Sequence, residues 1–189
     1  MARPRSDDKR LAILESAAEV VGEFGLSAPT VKISQRAGVA EGTLFTYFAN
    51  KDDLLNQLYL ALKTELRDSF VADYPATKSL LDRCRHVWNR YITWGTANPL
   101  KRKCVRQLAV SDRITKETKK TVEEAFMEFH AVIRKCAAGG PLRDQPPSFA
   151  SAVMGAIAET TMEFIAREPT HVKRYTKAGF ESFWRAVTG

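Results

Sequence analysis

The amino-acid sequence predicts an all-α protein of about nine helices in two parts. A three-helix N-terminal domain is expected over residues 1–51 and a larger helical domain over residues 52–189. Three observations carry this. Apolar residues recur at one-face helical spacing in one stretch after another. Residues 30–48 read as two short helices joined by a tight turn, because Ile33, Ala37, Val39, Leu44 and Phe48 keep that spacing while Gly38 interrupts it. The composition, 44% hydrophobic and 27% charged over 189 residues, is that of an ordinary globular chain with room for two small domains sharing an interface.

Taken in order, Arg3 and Arg5 flank Pro4 in a short arm that either follows a nucleic-acid backbone or is simply solvated. The first helix is expected to open at a Ser6 cap, with Asp7 and Asp8 in its first turn where the helix dipole favours negative charge. Leu14, Ala17, Ala18, Val21 and Phe24 form its apolar stripe, and Gly25 ends it. Pro29 and Thr30 start the second helix, where the Thr30 hydroxyl either caps the helix or faces a phosphate. Ser34 is small where another helix must cross, and Gly38 takes the left-handed backbone of the turn. Ala40 opens the third helix without a capping side chain. The run Asn50-Lys51-Asp52-Asp53 then makes a near capping box, with Lys51 at a helix N-terminus where a phosphate oxygen is well received.

The apolar spacing continues from Leu54 through Leu58, Leu62, Leu66 and Phe70, so one helix should run from the N-terminal domain into the next as far as Asp73. An aromatic-rich helix is expected over 78–97, a short basic helix from Pro99 with Lys101, Arg102, Lys103 and Arg106, and one long helix over 112–138. After a polar loop, Ser148 should cap a helix rich in small residues, and a last helix presents Val172, Tyr175, Phe180, Phe183, Trp184 and Val187. Small residues on one of these helices and aromatics on the other look like a helical dimer interface, the alternative being packing within one chain.

The chemistry is carried by the third helix. Glu41, Gly42, Thr43, Phe45, Thr46 and Tyr47 cannot all be buried, so they form its outer face, the layout of a DNA-reading helix. Total charge adds little to this: the formal net charge is +7, which suits an anionic partner, but it is not concentrated in residues 1–51. No apolar run approaches the roughly 20 residues of a membrane span. The opening MARPRSDDKR lacks the apolar core of a secretory signal, so a cytoplasmic protein with no membrane partner is expected. Cys84, Cys104 and Cys136 are odd in number and unpaired by spacing, as expected of reduced packing residues.

The stretch GVAEGTLFTYFANKDDL resembles the DNA-binding signature of the TetR family of bacterial repressors, and residues 9–60 follow that family's first four helices. The resemblance implies an all-helical homodimer whose recognition helix enters the major groove of an operator. It implies that Thr30, Thr43, Tyr47 and Lys51 hold phosphates while Glu41, Gly42, Phe45 and Thr46 lie nearest the bases. Gly42 has its own physical reason, since a residue without a side chain lets the helix start approach DNA closely. Many relatives carry a basic or small polar residue at Glu41 and a Tyr at Phe45, so the operator sequence is not implied. MARPRSDDK, AGVAEGTLF, YITWG, RQLAVSDRITKET and AETTMEF together look much like the RamR-type branch, which implies a sensor of amphipathic or aromatic compounds controlling drug-efflux genes.

Tyr59, Trp88, Tyr91, Phe126 and Met154 are the residues expected to line such a ligand cavity, although an aromatic stripe is more often core than pocket. Ligand binding should favour a dimer state that no longer fits both half-sites. An enzyme is not expected: His86, His130 and His171 are scattered, and the sequence has no phosphate loop, nucleophile elbow or metal-ligand spacing, so no catalytic residue, metal or cofactor is assigned. A helical adaptor that binds only protein is the remaining alternative, and it has no need of Thr43, Tyr47 and Lys51.

Overall fold

The computed structural model describes residues 5–189, and the side chains of 7–146 and 148–189. Arg3 and Pro4 of the expected arm lie outside the described residues. Among the described residues ten α-helices and one 3₁₀ turn follow in order: α1 (Arg5–Phe24), α2 (Thr30–Arg36), α3 (Glu41–Tyr47), α4 (Lys51–Val71), α5 (Leu80–Ala97), α6 (Pro99–Ala109), α7 (Lys116–Ala125), α8 (Met127–Ala137), α9 (Pro147–Arg167), the turn Pro169–His171, and α10 (Val172–Thr188). The chain divides into two compact units, one of residues 1–65 and 98–123, the other of 66–97 and 124–189. The division differs from the expected boundary at 51/52. The first part of α4 and all of α6 belong with α1–α3, because their apolar faces complete that core.

In the first unit Ile13, Leu14, Ala17, Val21, Ile33, Leu44, Phe48, Leu54, Leu55, Leu58, Cys104 and Leu108 form the core. Helix α6 crosses α1 at Gly22, where a Cβ would stand 2.5 Å from the Leu100 carbonyl oxygen; only glycine permits this approach. Asn56 joins α4 to the segment before α7, donating to the carbonyls of Asp52 and Arg113 at 2.7 and 2.9 Å and accepting from the Thr115 N–H at 2.9 Å. The expected basic cluster on α6 is partly engaged within this unit, with Lys101 Nζ 2.8 Å from Glu65 Oε2.

In the second unit Cys84, Val87, Trp88 and Ile92 of α5 are buried, and α5 packs against α8, α9 and α10. Phe70 meets Phe126 and Phe129 edge-on at 5.9 and 5.3 Å between ring centres. This cluster accounts for a correction. The single helix expected over 112–138 is two helices, because Phe126 leaves helical geometry at φ −103°, ψ 2° while its ring is buried. Three helix starts also differ. Helix α1 begins at Arg5, ahead of Ser6; α9 begins at Pro147 with Pro146 as its cap residue, so Ser148 lies inside the first turn. Helix α5 starts at Leu80 because Ser79 caps it, accepting the Asp82 N–H at 3.1 Å and donating to Asp82 Oδ2 at 2.6 Å. Over residues 148–167 α9 has the length and apolar composition of a membrane span at mean hydropathy 1.2, against the expectation that no apolar run comes near one. It carries Glu159 and Glu163 and packs against α5, α8 and α10.

Candidate nucleic-acid interface

The turn before α3 is built as the sequence implied. Gly38 has φ +67°, the Gly38 N–H reaches the Gln35 carbonyl at 3.2 Å, and the Val39 N–H reaches the Ser34 carbonyl at 3.0 Å. These two bonds close the end of α2 as a Schellman motif. Ser34 is 2% exposed and turns its hydroxyl back onto the Val31 carbonyl at 3.0 Å. Leu44 and Phe48 are buried beneath α3, which fixes its outward face by elimination.

On that face Glu41, Gly42, Phe45 and Thr46 are exposed, and Thr43 and Tyr47 are half-buried at its margin. Phe45 is 44% exposed, a large apolar ring left to solvent. A Cβ at Gly42 would meet nothing within 4 Å, and Gly42 has no positive φ, so the fold itself does not demand glycine there. Two hydroxyls are already engaged. Thr46 Oγ1 donates to the Thr43 carbonyl at 2.7 Å. Thr30 Oγ1 donates to Glu41 Oε1 at 2.6 Å. Thr30 is thus neither a cap, since Pro29 is the cap residue and lends no side chain, nor a hydroxyl standing free for phosphate. It ties α2 to the start of α3 and fixes the position of the exposed Glu41 carboxylate.

Lys51 opens α4 and donates to the Ala28 carbonyl at 2.6 Å, clamping the segment before α2 to the helix start. Its ammonium is held below the ordinary lysine range by partial burial and by the Arg113 charge, with Asp52 opposing. Two of its three N–H donors remain for an external oxygen. The expected capping box is present: the Asp53 N–H bonds Asn50 Oδ1 at 2.9 Å, and the Ala49 N–H bonds Asp53 Oδ2 at 2.9 Å. The structure extends this into a chain that the sequence did not suggest, from Asp53 through Gln57 at 2.9 Å to Arg10 of α1 at 2.5 Å. Arg36 adds a second tie to α1, at 2.9 Å from Glu23 and 3.7 Å from Glu19. Polar ties therefore join α2 and α4 to α1, and the start of α4 to the segment before α2.

The expected ligand residues are placed differently from a lined cavity. Trp88, fully buried, donates Nε1–H to the Thr176 carbonyl at 3.0 Å and stacks on Phe183 at 6.3 Å. Tyr91 donates to Glu159 Oε1 at 3.0 Å, and Phe126 and Met154 are 5% and 4% exposed. Tyr59 is buried in the first unit, and burial raises its phenol. None of these five lines either of two clefts that the second unit shows. One, about 680 Å³, lies between α5 and α10; the other, about 470 Å³, lies between α9 and α10 among Ala156, Ala178, Gly179, Ser182 and Phe164. The sequence signal for the first was the pair Arg85 and Asn89, one turn apart on the polar side of an amphipathic helix that also carries Arg83, His86 and Arg90.

Residues 13–58 match the family described as bacterial regulatory proteins, tetR family. The fatty acid metabolism regulator protein of Bacillus subtilis (strain 168) is 44% identical over 52 residues, which are 27% of this chain and 27% of that protein. The chain thus spans about a quarter of that relative's length. A tetR family transcription regulator from Shewanella sp. PV-4 superposes with a TM-score of 0.82 at 27% identity, covering 94% of this chain and 97% of that one. One from Marinobacter aquaeolei VT8 superposes with a TM-score of 0.87 at 21% identity, over 98% of each chain, a likeness of fold.

Proposed function

We propose, from the premise that residues 13–58 form a TetR-family DNA-binding domain within a TetR-type fold, that the protein is a homodimeric transcriptional repressor of palindromic operators released by a small ligand. The observation that carries this is α3 itself: an exposed face of Glu41, Gly42, Phe45 and Thr46 over buried Leu44 and Phe48, on a helix tied to α2 at its start by Thr30 and Glu41 and followed directly by the capped start of α4. Thr43, Tyr47 and Lys51 border the face, where phosphates flank a helix lying in a major groove. Thr30 is assigned a supporting role, positioning Glu41. A carboxylate so held accepts from a cytosine amino group or repels other bases, which makes Glu41 a selector rather than a source of affinity.

The two-fold requirement supports dimerisation through α9 and α10. Their cleft is floored by small residues, and Phe149 and Phe164 stand 45% and 41% exposed on α9. Apolar area left open on the most apolar helix of the chain suits a second copy of the same face. An amphipathic or aromatic effector and control of efflux genes, which the RamR-type resemblance implied, belong to the same proposal. The helical adaptor is disfavoured because Gly42 has no use in the free fold. The test is selection of duplexes from a random pool. Recovered sites should be inverted repeats with half-site centres about one turn of DNA, roughly 34 Å, apart; recovery of random sequence would overturn the reading.

A further inference from the structure

We propose that the cleft between α5 and α10 binds an anionic amphiphile, an extended aliphatic chain ending in a carboxylate or a phosphate. As an effector site it rests on the repressor reading above; as a binding site it stands alone. The two helices run in opposite directions along it, since Arg85 lies over the Phe180 ring at 5.0 Å while Trp88, one turn further, reaches the Thr176 carbonyl. From Arg85 to Thr96 the α5 wall is therefore about 16 Å long at the helical rise of about 1.5 Å per residue. An extended hydrocarbon chain advances about 1.3 Å per carbon at tetrahedral geometry, so about twelve carbons together with their head group extend that far.

The chemistry of the lining selects the class. Ile92 and Phe180, 2% and 5% exposed, make an apolar floor, and Val172 adds an apolar edge. Three cations, Arg85, Lys173 and Lys177, face one carboxylate, Glu181. Lys177 and Glu181 stand 3.8 Å apart on one helix and largely offset each other, so Arg85 and Lys173 leave the cleft positive. The Thr176 hydroxyl on the same wall is buried without a hydrogen-bond partner, a polar atom that a bound head group or its water would satisfy. A cationic amphiphile would meet two like charges here. Helix α10 carries Tyr175, Ala178 and Ser182 on the cleft proposed for the second copy. A chain wedged between α5 and α10 thereby acts on the dimer contact.

The test uses the full chain, with dodecanoate, dodecyl phosphate and dodecyltrimethylammonium each kept below micelle formation. Binding is read by tryptophan fluorescence, to which Trp88 under the cleft contributes, and by calorimetry. Both anions are expected to bind and the cation to bind about tenfold more weakly or less; the tighter anion identifies the head group. The Arg85→Glu/Lys173→Glu protein should lose about tenfold in dodecanoate affinity. Arg85→Gln and Lys173→Gln singly replace it if its melting profile shows it unfolded. Equal binding of the cation, no binding of either anion, or unchanged affinity in the variants would overturn the site. These readouts need no DNA, so they fail independently of operator selection. Dodecanoate that binds but leaves operator affinity unchanged would refute the effector role alone.

Discussion

Replacing Gly42 with alanine separates what the fold needs from what DNA needs. In the free protein the new Cβ meets no heavy atom within 4 Å, and the backbone there is not left-handed. The steric cost is nil, and losing a helical glycine stabilises by about 0.5–1 kcal/mol, less if the first turn of α3 frays. The operator complex should respond in the opposite sense, because the proposed docking brings the Gly42 end of α3 to the groove. A methyl group that holds the helix off its base edges costs about 1–3 kcal/mol, roughly 5- to 150-fold in affinity. Urea unfolding and operator titration at one fixed salt concentration measure the two effects on one sample. A variant with unchanged affinity, stabilised or not, would refute the placement of Gly42 against DNA, and a destabilised one would refute the account of its free surroundings.

Lys51→Ala should weaken binding about equally across sequences and lower the salt slope by about 0.9, while the lost tie to the Ala28 carbonyl costs about 1 kcal/mol of stability. Salt titration against two unrelated duplexes checks the first effect. Gly22→Ala forces a Cβ to within 2.5 Å of the Leu100 carbonyl oxygen, so α1 and α6 must part, at about 1–3 kcal/mol in urea unfolding. An unchanged midpoint would contradict the crossing. Burial lowers the Lys63 ammonium to about 8. Between that pH and the ordinary lysine value the unfolded chain holds a proton that the folded chain has released, so folding stability should rise with pH across this window. Lys63→Met should therefore exceed the wild type by about 2 kcal/mol at pH 7, with the gap closing towards pH 10.5. A constant gap would place the titration elsewhere.

What the sequence by itself determined was the local pattern around the α2–α3 turn, while several helix starts and the break at Phe126 were not fixed by it. The α2–α3 turn was legible because Gly38 and the Ile33, Ser34, Leu44 and Phe48 spacing act within a few residues, and the outer face of α3 followed by subtraction. The Asn50–Asp53 cap was legible for the same reason. Side-chain partners distant in sequence were not. Arg10 finds Gln57, and Thr30 finds Glu41, only once helices from separate stretches are packed. An aromatic stripe has the same periodicity whether it faces another helix or a void, so Trp88, Phe126 and Met154 read as pocket candidates and proved to be packed side chains. Gly22 and the α5–α10 cleft depend on how two helices cross. Crossing is set by the shapes of both surfaces together, which neither segment specifies alone.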